Sequence, residues 1–446
     1  MIFGLGNSLS LRNCGLGASY RNLSNCGFVR SRLGRIGIAG ISVVVFGFYV
    51  HAILSIWRAD WLQDEHDRHS LEASARLEPW DAQTYWRLGR YFLYAAVDPT
   101  NALLAFRRAV KLNRYDAHYW LDLAAAYELG GDSGQSKKAL EQALRAEPTS
   151  TEIAWNAANF YLTQNDTSRA LPLFRVVLEY DPRNTAAALD LCWRATKNVT
   201  QIVTHTLPAQ PASYFVLLKI LTAQSQSAPA NELWHALIAQ KLKFSVEEAF
   251  PYFDYLIQTQ QIDQAKQVWR DLRKLDSELQ DDSPSNLVRN GGFEAEFLNG
   301  GFDWRSAQTS QIDVSLDTSE FHSGTRALRI AFTGPGVSDM GVYEYVPVQP
   351  NTRYRFSAFV KTQDIITASG PRLSVQDLST GKMATTDEFL GTSAWGQRTA
   401  EFVTGPETHL VTLRMVRIPG NPLIKGTFWL DDVELTPASA APRAIP

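Results

Sequence analysis

The acidic, histidine and cysteine side chains of this chain are not spaced for catalysis. Paired carboxylates occur at Glu247-Glu248 and Asp281-Asp282, where a helix or a linker should leave them as solvated charges. A glycosidase instead needs two carboxyl groups at a fixed separation across a cleft. The eight histidines are scattered, and neither a GxSxG nucleophile motif nor a phosphate-binding P-loop is present. We therefore expect a protein that is not an enzyme.

The amino-acid composition of the chain limits the kinds of partner that it could bind. The 446 residues are enough for two or three domains, with a net charge of −3, a pI near 6.3 and 11% aromatic residues. No basic excess points to a nucleic-acid partner. Cys14, Cys26 and Cys192 form neither a CxxC pair nor a zinc-binding spacing, so we expect Cys192 to be a buried thiol.

The start of the chain predicts a membrane anchor. No Asp or Glu occurs before Asp60, and five arginines precede the run Ile36–Trp57, which carries no formal charge apart from any on His51. As a helix this run would be about 33 Å long, which is enough to cross the hydrocarbon core. Because arginines favour the cytoplasmic side, we predict a cytoplasmic basic tail over 1–35 and a single transmembrane helix over 36–57. The rest of the chain would then lie outside the inner membrane of a bacterium.

Two alternatives to the anchor stay open. Val50-His51-Ala52 fits a small-residue signal-peptidase site, and an acid-free start rich in Arg and Ser resembles a mitochondrial transit peptide. No Gly or Pro occurs from Phe48 to Glu78, so we predict one helix that leaves the membrane and continues to Glu78. A continuous helix across the cleavage site disfavours cleavage.

A period of 34 residues runs through the middle of the chain. Pro148 and Pro182 are separated by this interval, and so are Tyr127 and Tyr161. Two antiparallel helices approach closely only where small side chains face each other, with large aromatic side chains beside them. One hairpin cannot cover its own apolar face, so neighbouring copies must stack. The period therefore predicts an α-solenoid of helical hairpins.

This pattern resembles the tetratricopeptide repeat. The three copies place small and aromatic residues at these positions: Tyr85, Leu88-Gly89, Phe92, Ala102, Phe106 and Ala109; Trp120, Leu123-Ala124, Tyr127, Leu140, Ala143 and Pro148; Ala157-Ala158, Tyr161, Ala170, Phe174, Val177 and Pro182. The first copy carries one extra residue near Ala95. The resemblance implies a helical domain over 58–276 whose groove binds a protein or peptide. The predicted groove residues are Trp86, Arg90, Trp155 and Asn159.

The residue pattern changes after a predicted polar linker over 277–285. Residues 286–446 hold fifteen glycines, and alternation of apolar and polar residues replaces the helical period, as in Arg353–Thr362. Short strands separated by frequent turns predict an antiparallel β-sandwich over 286–437, followed by a disordered tail over 438–446. The predicted fold class is therefore multidomain α + β.

The sandwich segment resembles the jelly-roll carbohydrate-binding modules of the family 4/9/22 type. The resemblance rests on NLVRNGGFE, HSGTRALRI, VQPNTRYRFSAFVKT and FWLDDVEL in that order, and NLVRNGGFE is expected to open the first strand. It implies that aromatic rings stack on pyranose faces while polar groups bind hydroxyls. The candidate glycan-binding residues are Trp304, Tyr343, Tyr345, Trp395, Phe359, Arg355, Gln376 and Arg414. The alternative for the Trp and Tyr residues is burial in the core.

The same resemblance implies a structural calcium ion where the first strand meets the last. Carboxylate and carbonyl oxygens suit this hard cation. The matching positions are Glu294, Asp431 and Asp432, near the backbone of Ser323-Gly324. The alternative is that these acids are solvated in turns. We expect no other cofactor.

Together these patterns predict a membrane-anchored scaffold of the bacterial cell envelope. We expect the helical repeats to bind a protein and the sandwich to bind glycan, in the biosynthesis or export of exopolysaccharide or cell-wall polysaccharide. The first alternative is a factor for assembling protein complexes whose sandwich binds no sugar. The second is a glycan-cleaving enzyme, which would release products from its substrate.

Overall fold

The computed structural model describes residues 32–64, 67–279, 285–307 and 310–438. Most of the predicted basic tail, the middle of the predicted linker and nearly all of the predicted C-terminal tail lie outside these residues. In the described chain, a helical part precedes an antiparallel β-sandwich of two sheets, which confirms the predicted fold class.

Fourteen α-helices are present in the described residues before the sandwich. In chain order they are α1 (Arg32–Gln63), α2 (Arg68–Leu77), α3 (Ala82–Arg90), α4 (Pro99–Leu112), α5 (Ala117–Leu129), α6 (Ser133–Ala146), α7 (Thr151–Thr163), α8 (Thr167–Tyr180), α9 (Thr185–Thr196), α10 (Val199–His205), α11 (Pro211–Ala223), α12 (Ser227–Ala239), α13 (Phe250–Gln258) and α14 (Ile262–Leu275). The chain divides into two compact units, residues 1–160 and 161–446.

Aspartate side chains begin many of these helices. At each start an Asp carboxylate accepts a hydrogen bond from an N–H group of the first turn, which would otherwise lack a partner. The capping residues are Asp67, Asp81, Asp98, Asp116, Asp132 and Asp166. Each cap of this kind stabilises its helix by about 1 kcal/mol.

Helix α1 contains the segment Arg35–Gln63, which by length and composition could cross a membrane and whose most apolar stretch is not buried against the rest of the protein. The helix passes through Val50–Ala52 without interruption, but it ends at Gln63. Asp67 then caps α2 by accepting from the N–H groups of His69 and Ser70. The prediction of one helix that continues to Glu78 is therefore wrong, because an aspartate cap starts a second helix inside that stretch.

The last turn of α1 belongs to the helical repeats. Ala59 is buried, and its carbonyl oxygen accepts a hydrogen bond from Ser74 Oγ of α2 at 3.1 Å. Gln63 Nε2 donates to Thr84 Oγ1 of α3 at 2.8 Å, again in a buried position. The apolar helix is thus packed directly onto the helices that follow it.

The close approach of α3 and α4 depends on a glycine. A Cβ atom added to Gly89 would lie 2.6 Å from carbons of the Phe106 ring, so only a hydrogen atom fits there. This is the pairing of a small and a large side chain that the repeat pattern predicts. The extra residue of the first copy is absorbed by a π-helical turn, Tyr91–Ala95, which continues α3.

In the part of the chain that the structure describes, ten strands form the sandwich. They are β1 (Arg305–Ser306), β2 (Ile312–Asp317), β3 (Ala327–Gly334), β4 (Asp339–Pro347), β5 (Arg353–Ile366), β6 (Arg372–Asp377), β7 (Met383–Thr385), β8 (Gly391–Val403), β9 (Leu410–Val416) and β10 (Ile424–Pro437). Sheet A has the order β1-β4-β9-β6-β7, and sheet B has the order β2-β3-β10-β5-β8. All the pairings are antiparallel.

The core between the sheets follows the predicted alternation. Tyr354, Phe356, Ala358 and Val360 of β5 are buried between the sheets. The stretch around Gly291 is a turn rather than the predicted first strand. Its backbone lies close against β10, since a Cβ atom at Gly291 would collide with the carbonyl oxygen of Val433. Its Phe293 nevertheless enters the core.

The second Gly-Gly pair packs against helices. A side chain at Gly300 would collide with Phe250 of α13, and one at Gly301 would collide with Trp269 of α14. The Phe302 ring lies 4.8 Å from the Phe253 ring, centroid to centroid, and meets it edge to face. The sandwich is therefore packed directly against the hairpin α13–α14.

Replacing Gly89 by Ala should destabilise the first unit, because the added methyl group meets the Phe106 ring. Overpacking of this kind costs on the order of 1–3 kcal/mol. We expect a lower melting temperature when unfolding is followed by the helical circular dichroism signal.

The matched control is Gly134→Ala in α6. An added Cβ atom there meets only the Asp132 carboxylate, at an ordinary 3.6 Å. Because Ala is the better helix former, this change should be neutral or should stabilise the fold by up to about 1 kcal/mol. Equal melting temperatures for the two variants would contradict the packing described for Gly89.

Candidate glycan-binding site

The outward side of sheet A carries two matching rows of side chains. Tyr343 of β4, Arg414 of β9 and Ser374 of β6 are paired across the sheet. Tyr345, Thr412 and Gln376 form the next row on the same strands. Side chains alternate between the two sides of a strand, so these six point away from the core, whose residues are their neighbours Val342, Leu413 and Val375. We call this surface the tyrosine face.

Two tyrosine rings form one side of the tyrosine face. The centroids of Tyr343 and Tyr345 are 5.4 Å apart, and both side chains are half-buried. Burial raises the pKa of the Tyr345 hydroxyl, and Tyr343 adds to this shift. The guanidinium of Arg305 in β1 lies 4.9 Å from the centroid of the Tyr345 ring. Aromatic rings of this kind can pack against the C–H face of a pyranose.

The charged groups of the tyrosine face and its border are paired. Arg414 forms an ion pair with Asp339, and its Nη1 donates to Gln376 Oε1 at 3.2 Å. Arg372 lies 3.5 Å from a carboxylate oxygen of Glu388. Because each cation has an anionic neighbour, the surface offers both donors and acceptors with little net charge.

Several polar atoms of the tyrosine face and its border have no hydrogen-bond partner among the described residues. They are Ser374 Oγ, Thr412 Oγ1, Arg372 Nε and Arg414 Nε. Ser374 is 1% exposed and Thr412 is 3% exposed. Leaving a buried donor or acceptor unpaired costs about 1–3 kcal/mol, and native proteins leave few such atoms. Neighbouring side chains cover these atoms, so a ligand rich in hydroxyl groups could pair with them only after those side chains move.

The structure divides the eight predicted glycan-binding residues into three sets. Tyr343, Tyr345, Gln376 and Arg414 lie together on the tyrosine face. Arg355, Phe359 and Trp395 lie on the outward side of sheet B, where the His322 ring stacks on Phe359 at 3.6 Å. These three belong to a separate surface.

Trp304 is buried in the sandwich core. Its side chain is 2% exposed, and its ring lies 5.2 Å from the Phe293 ring. The prediction that Trp304 binds sugar is therefore wrong, because neither side of the ring is open to a ligand. Sequence reasoning also missed its neighbour Arg305, since the two-residue strand β1 is too short to show alternation.

The three predicted calcium ligands converge around one glycine. A Cβ atom at Gly292 would lie about 4 Å from atoms of Glu294, Asp431 and Asp432. Their oxygens accept hydrogen bonds from the turn that includes His322. Burial raises the pKa of Asp431.

No group of three or more His, Cys, Asp or Glu side chains in the described part of the chain is arranged to hold a metal ion. A cation at Gly292 would have to replace hydrogen bonds that Glu294 and Asp431 already accept. Calcium at this place stays a prediction.

The predicted peptide groove contains a buried acid that the sequence pattern did not indicate. Asp122 of α5 accepts hydrogen bonds from Trp86 Nε1 at 2.7 Å and from the Tyr94 hydroxyl at 3.0 Å. Burial raises the pKa of the Asp122 carboxyl group. Burial and the nearby Asp122 carboxylate together raise the pKa of the Tyr94 hydroxyl to about 12. Arg90 stacks on Trp86 at 5.0 Å. Both Trp86 and Arg90 line a cavity of about 520 Å³.

The other two predicted groove residues lie on α7. Asn159 Nδ2 donates to the backbone oxygen of Trp155 at 2.8 Å, so its amide is bound to its own helix. The Trp155 side chain is half-buried. The cavity beside Trp86 is therefore the better-defined part of the predicted groove.

Two family models match parts of the chain. The model described as a carbohydrate binding domain matches residues 285–416, and the tetratricopeptide repeat model matches residues 117–150. The first range contains the whole tyrosine face, and the second contains α5 and α6. The two matches confirm both resemblances.

Similarity to individual proteins is partial. The chain is 31% identical over 101 residues to the human interferon-induced protein with tetratricopeptide repeats 2, a match that covers 21% of each chain. It is 32% identical over 152 residues to exochitinase 1 of Streptomyces olivaceoviridis, covering 34% of this chain and 21% of that protein. The chain thus spans about a fifth of the length of these relatives.

Among solved structures, the CBM22-1 xylan-binding domain of Paenibacillus barcinonensis Xyn10C is 14% identical, with a TM-score of 0.24. That match covers 34% of this chain and 94% of the domain. On the two family matches, the chain carries a tetratricopeptide repeat and, C-terminal to it, a domain of the carbohydrate-binding type.

Proposed function

We propose that this protein is a non-catalytic scaffold that binds glycan on the tyrosine face of its sandwich and a protein or peptide on its helical repeats. One observation supports glycan binding above the others. Ser374, Thr412, Arg372 and Arg414 hold buried polar atoms without partners beside two tyrosine rings. Hydroxyl groups on a flat, partly apolar ring match this combination of surfaces.

The charges on the tyrosine face favour a neutral glycan. Arg305, Arg372 and Arg414 are the cations on or beside it, and each is paired with a carboxylate: Asp254, Glu388 and Asp339 respectively. An acidic polysaccharide would gain little from arginines that are already neutralised, and it would face three carboxylates. Uncharged hydroxyls can instead donate to these carboxylates and accept from the arginines.

The helical part supports the rest of the proposal. Helix α1 is long and apolar enough to anchor the chain, and the arginines before it would keep its N-terminal end in the cytoplasm. The cavity beside Trp86 and Arg90 gives a peptide both an aromatic surface and a charged one. A bacterial inner-membrane protein of this design would hold polysaccharide beside the proteins that make or export it.

Replacing Tyr345 by Ala should weaken glycan binding at least about tenfold, because tyrosines in partly buried positions often dominate binding energy. The measurement is affinity electrophoresis of the full-length protein in detergent, through gels that contain soluble xylan, β-glucan or galactan. Gels that contain the acidic polysaccharides alginate or polygalacturonate test whether the site accepts a charged glycan. We expect these gels to retard the protein less than the gels with neutral polysaccharides.

Trp395→Ala is the matched control, since this half-buried aromatic residue lies on the outward side of sheet B. We expect its retardation to equal that of the wild type. Loss of binding in Trp395→Ala but not in Tyr345→Ala would move the site to sheet B. Absence of retardation of the wild type in every gel would favour the assembly factor whose sandwich binds no sugar.

We keep a structural calcium ion as a second proposal, held by Glu294, Asp431 and Asp432. A cation that binds only the folded state raises its stability by mass action. A chelator should then lower the melting temperature of the sandwich, and added CaCl₂ should restore it where MgCl₂ does not. An unchanged melting temperature in the chelator would remove the ion from the proposal.

A further inference from the structure

An ion pair joins the tyrosine face to the end of the helical repeats. Asp254 Oδ1 of α13 accepts a hydrogen bond from Arg305 Nη2 at 2.8 Å. Arg305 is 6% exposed and lies over the Tyr345 ring. The Asp254 side chain remains 41% exposed, so it is accessible to a ligand on that surface.

The turn that precedes Arg305 holds α13 in place. Arg305 Nη1 donates to the carbonyl oxygen of Gly301 at 2.8 Å. Phe302 packs edge to face against Phe253 of α13 and Trp269 of α14. Gly301 also lies directly against Trp269. Moving the helices away from the start of β1 would therefore break this aromatic cluster.

The far end of α13 reaches the strand ends of the same sheet. A cavity of about 230 Å³ is lined by Ile257, Gln260 and Ile262 from the helices and by Leu378, His409 and Leu410 from the sandwich. Leu410 starts β9 and Leu378 follows β6, next to the row that contains Tyr345, Thr412 and Gln376. Helix α13 therefore borders the tyrosine face from Arg305 to these strand ends.

From these contacts we infer that α13 is a wall of the glycan-binding site and that Asp254 is one of its sugar-binding residues. The inference rests on the proposed function and extends it to a residue outside the sandwich. A partly exposed carboxylate beside an aromatic ring can accept hydroxyl hydrogen bonds from a neutral sugar. Its pairing with Arg305 fixes the position of that guanidinium over Tyr345. The wall also closes one edge of the tyrosine face, so a bound chain must end or turn there.

The test compares Asp254→Ala with Asp263→Ala in the full-length protein, using affinity electrophoresis in soluble xylan, β-glucan and galactan. Asp263 is the matched control because it is 87% exposed on α14, where it pairs with Lys266 rather than with the sandwich. Loss of a charged hydrogen-bond acceptor should weaken binding about tenfold in Asp254→Ala. Asp263→Ala should bind like the wild type.

Asp254→Asn separates sugar binding from simple loss of packing. The amide oxygen can still accept a hydrogen bond from Arg305, so the melting temperature should fall less than in Asp254→Ala. The affinity should lie between those of the wild type and Asp254→Ala. If Asp254→Ala and Asp254→Asn both bind glycan as tightly as the wild type while Tyr345→Ala binds weakly, that result contradicts the role of Asp254 and α13 but not glycan binding on the tyrosine face. Absence of wild-type retardation in all three gels overturns both.

Discussion

The packing of a glycine turn against two helices fixes the position of the sandwich beside helices α13 and α14. Gly300 and Gly301 press their backbone onto Phe250 and Trp269, and Phe302 fills the space between Phe253 and Trp269. These contacts are too close for a side chain at either glycine. The sandwich is therefore packed against the helices and is not joined to them by the chain alone. Its tyrosine face is built next to helix α13.

The two Asn-Gly-Gly-Phe stretches therefore have different structural roles. The first places Gly291 against the backbone of β10 and sends Phe293 into the core, so it closes the sandwich. The second docks the sandwich onto the helices and leads into Arg305. Similar residues serve both purposes because each turn needs a close backbone approach followed by an aromatic anchor.

One polypeptide carries the proposed membrane anchor, the proposed protein-binding cavity and the proposed glycan site. Ala59 and Gln63 at the end of α1 are buried against α2 and α3, so the apolar helix packs directly onto the first repeat. At the other end, α13 borders the tyrosine face.

The sequence by itself determined the periodic features of this protein. The 34-residue interval predicted helical hairpins, and the alternation in Arg353–Thr362 predicted a sandwich strand, because both patterns follow local backbone geometry. Tertiary structure decided the rest. Trp304 became core and Tyr345 became surface through strand pairing, while Asp254 reached Arg305 across 51 residues of chain. Such long-range contacts depend on how helices and strands pack against each other, so they cannot be predicted from the spacing of residues along the chain.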